Sequence, residues 1–199
     1  MPQPKTLLEM AGAPNRPHAL AESAVVMIDA QMEYVNGRLA LTGMEPALEQ
    51  GARLFAAARA AGTPVIHVRH KGKGDGLFGP DSDYFVIAEQ VAPQDGETVI
   101  DKAVPNAFAD GELDKRLKAL GLSNIIVAGF MTHLCISTTV RAALDLGYGC
   151  TLLASACATR DLPDGQGGVV PAAELHRAEV AALSDRFAII ASDVGQLNG

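Results

Sequence analysis

Six short apolar runs punctuate the chain, and their spacing constrains the fold more than any other feature. They are residues 24–29 (AVVMID), 65–68 (VIHV), 98–101 (TVID), 125–129 (IIVAG), 151–154 (TLLA) and 187–191 (FAIIA). Nearly continuous apolarity, rather than strict alternation, is what a strand needs when both of its faces are covered. Helical stretches lie between them. Residues 46–61 place Leu48, Ala52, Leu54, Phe55 and Ala58 on or near one face and stop at Gly62. Residues 111–120 turn Leu113, Leu117 and Leu120 inward, residues 137–146 read as a helix, and Pro171 opens a last helix continuing through Leu183. Strands alternating with helices predict an α/β fold: a parallel sheet covered on both faces and joined by right-handed crossovers.

The 199 residues, 48% of them hydrophobic, suffice for one full core. We therefore expect an N-terminal arm over residues 1–22, which hold four prolines, and a single domain over residues 23–199. The apolar runs are strand-sized and the N-terminus lacks the apolar core of a signal peptide, so the expectation is a cytoplasmic protein without membrane association. Sixteen basic residues stand against 23 acidic ones, with no basic stripe and no tryptophan, which argues against nucleic acid as a partner. Three cysteines without CxxC spacing indicate neither a disulfide framework nor a zinc site. Cys150 and Cys157, at the start and just past the end of the fifth run, read as structural.

In open parallel sheets, ligands gather beyond the carboxyl ends of the strands. The first run ends on Asp29, the third leads into Lys102, and the fourth is followed by Cys135 near the start of a helix. Free N–H groups and the positive dipole end at a helix start would favour a thiolate and could receive charge from a carbonyl under attack. Taken singly, each residue has a plainer reading: Asp29 as a turn cap, Lys102 as a solvated lysine, Cys135 as a small apolar filler. Together they suggest an acid/base, a cation and a nucleophile. No GxGxxG follows the first run, so a dinucleotide-binding module is discounted.

The ordered motifs resemble the isochorismatase-like cysteine hydrolases, a superfamily that includes nicotinamidases, N-carbamoylsarcosine amidohydrolases and isochorismatases. Asp29-Ala30-Gln31 stands where the family has D-x-Q. Lys102 with Asn106-Ala107-Phe108 stands where it has lysine followed by S-A-F, with asparagine replacing serine. The run from Gly129 to Cys135 (GFMTHLC), followed by Thr139, Ala142, Ala143 and Gly147, stands where it has its nucleophile signature. The resemblance implies a Rossmann-like, three-layer α/β/α sandwich with six mainly parallel strands. It also implies a triad of Asp29, Lys102 and Cys135, a cis peptide at Phe130–Met131, and an oxyanion hole built from the backbone amides of Met131 and Cys135. Gln31, Tyr34, Phe108 and His133 are implied as pocket residues. A homodimer or tetramer acting on a small molecule is the expectation by resemblance alone.

Nicotinamidases of the superfamily hold a metal through D-x-H and a further histidine, whereas this chain reads HVRHKGKGD. His67 and His70 lie three apart near a strand end, on opposite faces, so no metal and no cofactor are expected and His70 reads as a polar pocket wall. Nicotinamide is thereby disfavoured. His133 reads equally as a pocket or an interface residue, and His176 as solvated or interfacial. True isochorismatases generally carry glycine where Cys135 stands, which favours covalent hydrolysis of a small amide, ureido or carbamoyl compound. Two alternatives stay open: vinyl ether hydrolysis without a covalent intermediate, and a non-catalytic member whose thiol responds to oxidants. Specificity would reside in residues 71–81, 103–110 and 159–169.

Overall fold

A computed structural model describes residues 3–198; residues 1 and 2 of the expected arm and residue 199 of the expected domain lie outside the described residues. The strands are β1 (Ala24–Ile28), β2 (Val65–His70), β3 (Thr98–Lys102), β4 (Asn124–Phe130), β5 (Gly149–Ala158), β6 (Leu162–Pro163), β7 (Val169–Val170) and β8 (Ile189–Ala191). The helices are α1 (Leu7–Met10), α2 (Met32–Val35), α3 (Met44–Ala61), α4 (Glu112–Ala119), α5 (Ser137–Asp145) and α6 (Ala172–Arg186). Six strands form one sheet in the order β3-β2-β1-β4-β5-β8, with every neighbouring pair parallel, while β6 and β7 make a small antiparallel ribbon.

The two-faced burial expected of the apolar runs is realised residue by residue. Val25 and Met27 of β1 and Ile126, Ala128 and Phe130 of β4 pack with Leu48, Leu54, Phe55 and Ala58 of α3 on one face. Val26 and Ile28, with Ile125 and Val127, meet Leu113 and Leu117 of α4, Val140 and Ala143 of α5 and Leu183 of α6 on the other. Fully burying one such aliphatic side chain contributes about 1.5–3 kcal/mol, so this double packing orders three layers around the sheet.

Sheet order reverses between β1 and β4, because β2 and β3 extend one way from β1 while β5 and β8 extend the other. A crevice at the carboxyl ends of β1 and β4 follows from that topology. Gly129 permits the close approach there. Its φ is +123°, and a Cβ would overlap the carbonyl oxygen of its partner Ile28.

Three boundaries depart from the sequence expectation. β5 runs for ten residues, because an irregularity between Val127 and Gly129 lets its second half rejoin β4 at Gly129–Cys157 and Phe130–Ala158. Cys150 and Cys157 therefore both lie inside β5 rather than flanking it, and both are buried. The last strand starts at Ile189, not Phe187, which caps α6 instead. Within residues 159–169, expected as loop, Leu162–Pro163 pairs with Val169–Val170.

The arm folds back on its own chain. Leu7 donates its N–H to Asp185 at 2.8 Å and His18 donates its N–H to Thr151 at 2.9 Å, which fastens the arm across α6 and the start of β5, at the pole opposite the crevice. Among the described residues no helix is long and apolar enough to cross a membrane.

Candidate active site

The crevice is assembled from strand ends. Asp29 follows β1 directly and adopts φ +53°, with its N–H bonded to the Val68 carbonyl at 2.7 Å. That left-handed backbone is sparsely populated by residues other than glycine, though aspartate is among the more tolerant. His70 and Lys102 are register partners at the ends of β2 and β3. After β4 the Phe130–Met131 peptide is cis, and a π-helical turn, Thr132–Ile136, carries Cys135 before α5 begins.

The Lys102 ammonium is the centre of the cluster. Nζ donates to Asp29 Oδ2 at 2.8 Å and to Cys135 Sγ at 3.3 Å, and lies 3.1 Å from His70 Nδ1. Asp29 is fully buried, while Cys135 and Lys102 are 2% and 3% exposed, so these charges interact with little screening from water. The only side-chain nitrogens or oxygens buried without a hydrogen-bond partner among the described residues are Asp29 Oδ1, His67 Nδ1 and Ser155 Oγ.

Electrostatics corrects one sequence expectation. The helix start was expected to favour the Cys135 thiolate, but burial, and then the Asp29 carboxylate, push the thiol up to about 12, outweighing Lys102. The resting thiol thus keeps its proton at neutral pH. Asp29 is itself raised by burial, with Lys102 pulling the other way. Burial, and then Lys102, depress His70 to about 4, so its imidazole is neutral. A protonated thiol beside a buried carboxylate of raised basicity, with a cation touching both, can move a proton from sulfur to oxygen as the sulfur attacks.

The remaining expected site residues fare differently. Tyr34 lies near the cluster, edge-on to Phe78 at 5.0 Å; burial and then the charges of Asp29 and Cys135 raise its phenol. Met131 is buried, and among the described residues its N–H donates to no acceptor. Gln31, expected in the pocket, instead spends its amide on the backbone of His70 and Phe85. Phe108, also expected there, stacks on Tyr148 at 5.5 Å within the core on the α4–α5 face. His133 turns its Nδ1 to Thr159 and does not join the cluster.

His67 points away, bonded through Nε2 to Glu97 at 2.9 Å, which confirms that the two β2 histidines face oppositely. His70 is more than a pocket wall, since it touches Lys102 directly. His176, expected to be solvated or interfacial, bonds Thr132 Oγ1 at 2.9 Å beside the cysteine turn. Sequence reasoning also missed Glu33, whose buried carboxylate accepts the N–H groups of Arg38 and Phe78 and so fixes the loop above Tyr34 and His70. Its signal was only an acidic residue in a short helix after D-x-Q. A cleft of about 510 Å³ opens beside Lys102, bordered by Lys71, Lys73, Val104, Asn106 and Asp110. Two of the three segments expected to set specificity line it.

Asp29, His70 and Cys135 offer the donor types of a metal site, with one ligand atom from each lying within 4.8 Å of the others. Lys102 Nζ contacts all three, so the protein's own cation fills that position.

The Isochorismatase domain family model matches residues 23–193. The crystal structure of an isochorismatase from Pseudomonas putida KT2440, 44% identical, matches with a TM-score of 0.93 over 98% of this chain and 100% of that one. An uncharacterised isochorismatase family protein of Bacillus subtilis (strain 168) is 39% identical over 171 residues, covering 84% of this chain and 94% of the relative. A ureidoacrylate amidohydrolase of Stutzerimonas stutzeri (strain A1501) is 28% identical over 185 residues, covering 72% and 74%.

Proposed function

The chain belongs to the isochorismatase family and is a hydrolase, and from that premise we propose that it cleaves a small amide, ureido or carbamoyl compound through a thioester on Cys135. The observation that carries this reading is the Lys102 ammonium in contact with both the Asp29 carboxylate and the Cys135 sulfur. A relative named as a ureidoacrylate amidohydrolase supports the ureido class.

In this reading Asp29, Lys102 and Cys135 form the catalytic triad. Asp29 removes the thiol proton as sulfur attacks the carbonyl carbon, and Lys102 stabilises the charge on the pair. The oxyanion is received by the backbone amides of Met131 and Cys135, a role that the unpartnered Met131 N–H supports. The tetrahedral intermediate collapses as Asp29 returns its proton to the leaving amine. Asp29 then deprotonates a water, which attacks the thioester; the acid departs and the thiol is restored. The substrate enters through the cleft beside Lys102.

The raised thiol favours a second reading, in which a protonated Asp29 acts on a vinyl ether and no covalent bond forms. An oxidant-responsive role fits less well, because Cys135 is buried and keeps its proton. Intact-mass spectrometry after brief exposure to a panel of small amides and ureido acids separates these readings. A transient adduct on the parent, absent from Cys135→Ala, is the expected result. Turnover by Cys135→Ala without any adduct would overturn the covalent mechanism.

A further inference from the structure

An ammonium group has three N–H bonds and no lone pair. Lys102 Nζ has three neighbours within hydrogen-bonding reach: Asp29 Oδ2 at 2.8 Å, His70 Nδ1 at 3.1 Å and Cys135 Sγ at 3.3 Å. Since Nζ can only donate, His70 Nδ1 must be the acceptor, and the imidazole proton must sit on Nε2. We propose that His70 is a positioning residue for Lys102, accepting one ammonium hydrogen so that the remaining two are aimed at Asp29 and at the sulfur of Cys135.

The placement of the imidazole is fixed from several directions. The β2–β3 register sets His70 opposite Lys102. Gln31 grips the His70 main chain at both its N–H and its carbonyl. Phe78 packs against the ring at 5.1 Å. Lys102 is 3% exposed, so a hydrogen released by loss of the imidazole acceptor would point into protein. A buried donor left without a partner is costly, so the ammonium would turn to find another acceptor and its contact with the sulfur would be lost.

This role rests on the reading of Cys135 as the nucleophile, but it can be measured without any substrate. The charged or titratable groups that face the sulfur are Asp29 after β1, His70 at the end of β2 with a ring nitrogen within 4.8 Å, Lys102 at the end of β3, and Tyr34 in α2; of these, Lys102 lies in hydrogen-bonding contact with both the sulfur and His70. The test follows Cys135 alkylation by iodoacetamide as a function of pH, with the adduct located by peptide mapping. It compares the full-length parent with His70→Phe, which keeps a ring against Phe78 but removes the acceptor, and His70→Asn, whose Oδ1 can occupy the place of Nδ1.

His70→Phe is expected to slow alkylation at pH 8 by about tenfold and to move the profile up by about one pH unit, while His70→Asn stays within about threefold of the parent. A parent-like His70→Phe, or a His70→Asn as slow as His70→Phe, would overturn the proposal. A measurement on the parent alone covers the case in which the variants misfold: nitrogen-15 spectroscopy of the histidines should show His70 neutral and protonated on Nε2 at pH 7. An Nδ1–H tautomer or an imidazolium there would overturn it equally. An alkylation shift with no acyl adduct from any amide would remove the proposed reaction and leave His70 in its role. Acyl adducts with an unmoved profile would do the reverse.

Discussion

Gln31 holds the main chain of His70 from both sides. Its Oε1 accepts the His70 N–H at 2.8 Å, and its Nε2 donates to the His70 carbonyl at 3.0 Å and to the Phe85 carbonyl at 2.9 Å. A residue of the D-x-Q element thus acts on the site indirectly, by fixing the end of β2 from which His70 reaches Lys102.

Gln31→Leu removes partners from one N–H and two carbonyls in a fully buried setting. Each orphaned group costs about 1–3 kcal/mol, partly relieved by relaxation, so a loss of about 3 kcal/mol is expected in urea titration. Turnover should fall as well, because the His70 backbone is released. A variant as stable as the parent would show that the clamp is dispensable.

The Asp29–Lys102 pair should behave as a buried ion pair in a double-mutant cycle. Lys102→Met leaves a buried carboxylate without its cation, and Asp29→Asn leaves a buried ammonium with weaker acceptors. Each single change is expected to cost about 3–5 kcal/mol, and the double variant less than the sum of the two. Asparagine tolerates the positive φ at this position, so backbone strain does not confound the comparison. All three variants should lose turnover. Additive losses in stability would mean that the two charges are not coupled.

Alkaline pH should destabilise the fold through its thiols. Burial pushes Cys157 up to about 12 and raises Cys150 as well, and Cys135, also facing Asp29, reaches about 12. An unfolded thiol ionises near about 8.5. Above that pH the unfolded chain binds fewer protons than the folded one, so stability falls as pH rises towards 12, by up to roughly 1.4 kcal/mol per pH unit per thiol. Urea midpoints measured from pH 8 to pH 10 should decline, and Cys157→Ala should reduce the slope by about a third of its limiting value. A flat profile would show that the thiols ionise in the folded state.

Gly129→Ala places a methyl group against the Ile28 carbonyl at φ +123°. Separating β1 from β4 is the only relief, and it would occur where Asp29 and Cys135 are positioned. A loss of several kcal/mol, or failure to fold, is expected from thermal melting followed by circular dichroism. A parent-like melting curve would mean that the sheet can open at this point without penalty.

The apolar runs located all six sheet strands because double-sided burial leaves a signal in any window of four or five residues. The long β5 escaped because its second half, Ser155–Ala156–Cys157–Ala158, is built from small residues that carry no such pattern, and because the extra residues of β5 opposite Ala128 must bulge before it can pair with β4 again. Asp29, Lys102 and Cys135 were legible for a similar reason, since Asp29 ends an apolar run, Lys102 directly follows one and Cys135 comes six residues after one. Gln31 and Phe108 lie three and six residues beyond the ends of β1 and β3, where the chain can turn either way, and only the packed neighbours show which.

Sequence by itself determined the fold class, the family motifs and the strand ends that carry a carboxylate, an amine and a thiol, because periodicity and local order are properties of adjacent residues. Tertiary structure alone decided the protonation of the thiol, the turning of Gln31 onto backbone, and the meeting of His70 with Lys102. Those outcomes depend on burial and on distances between residues 32 to 106 positions apart, where a few tenths of an ångström decide which acceptor a buried ammonium finds.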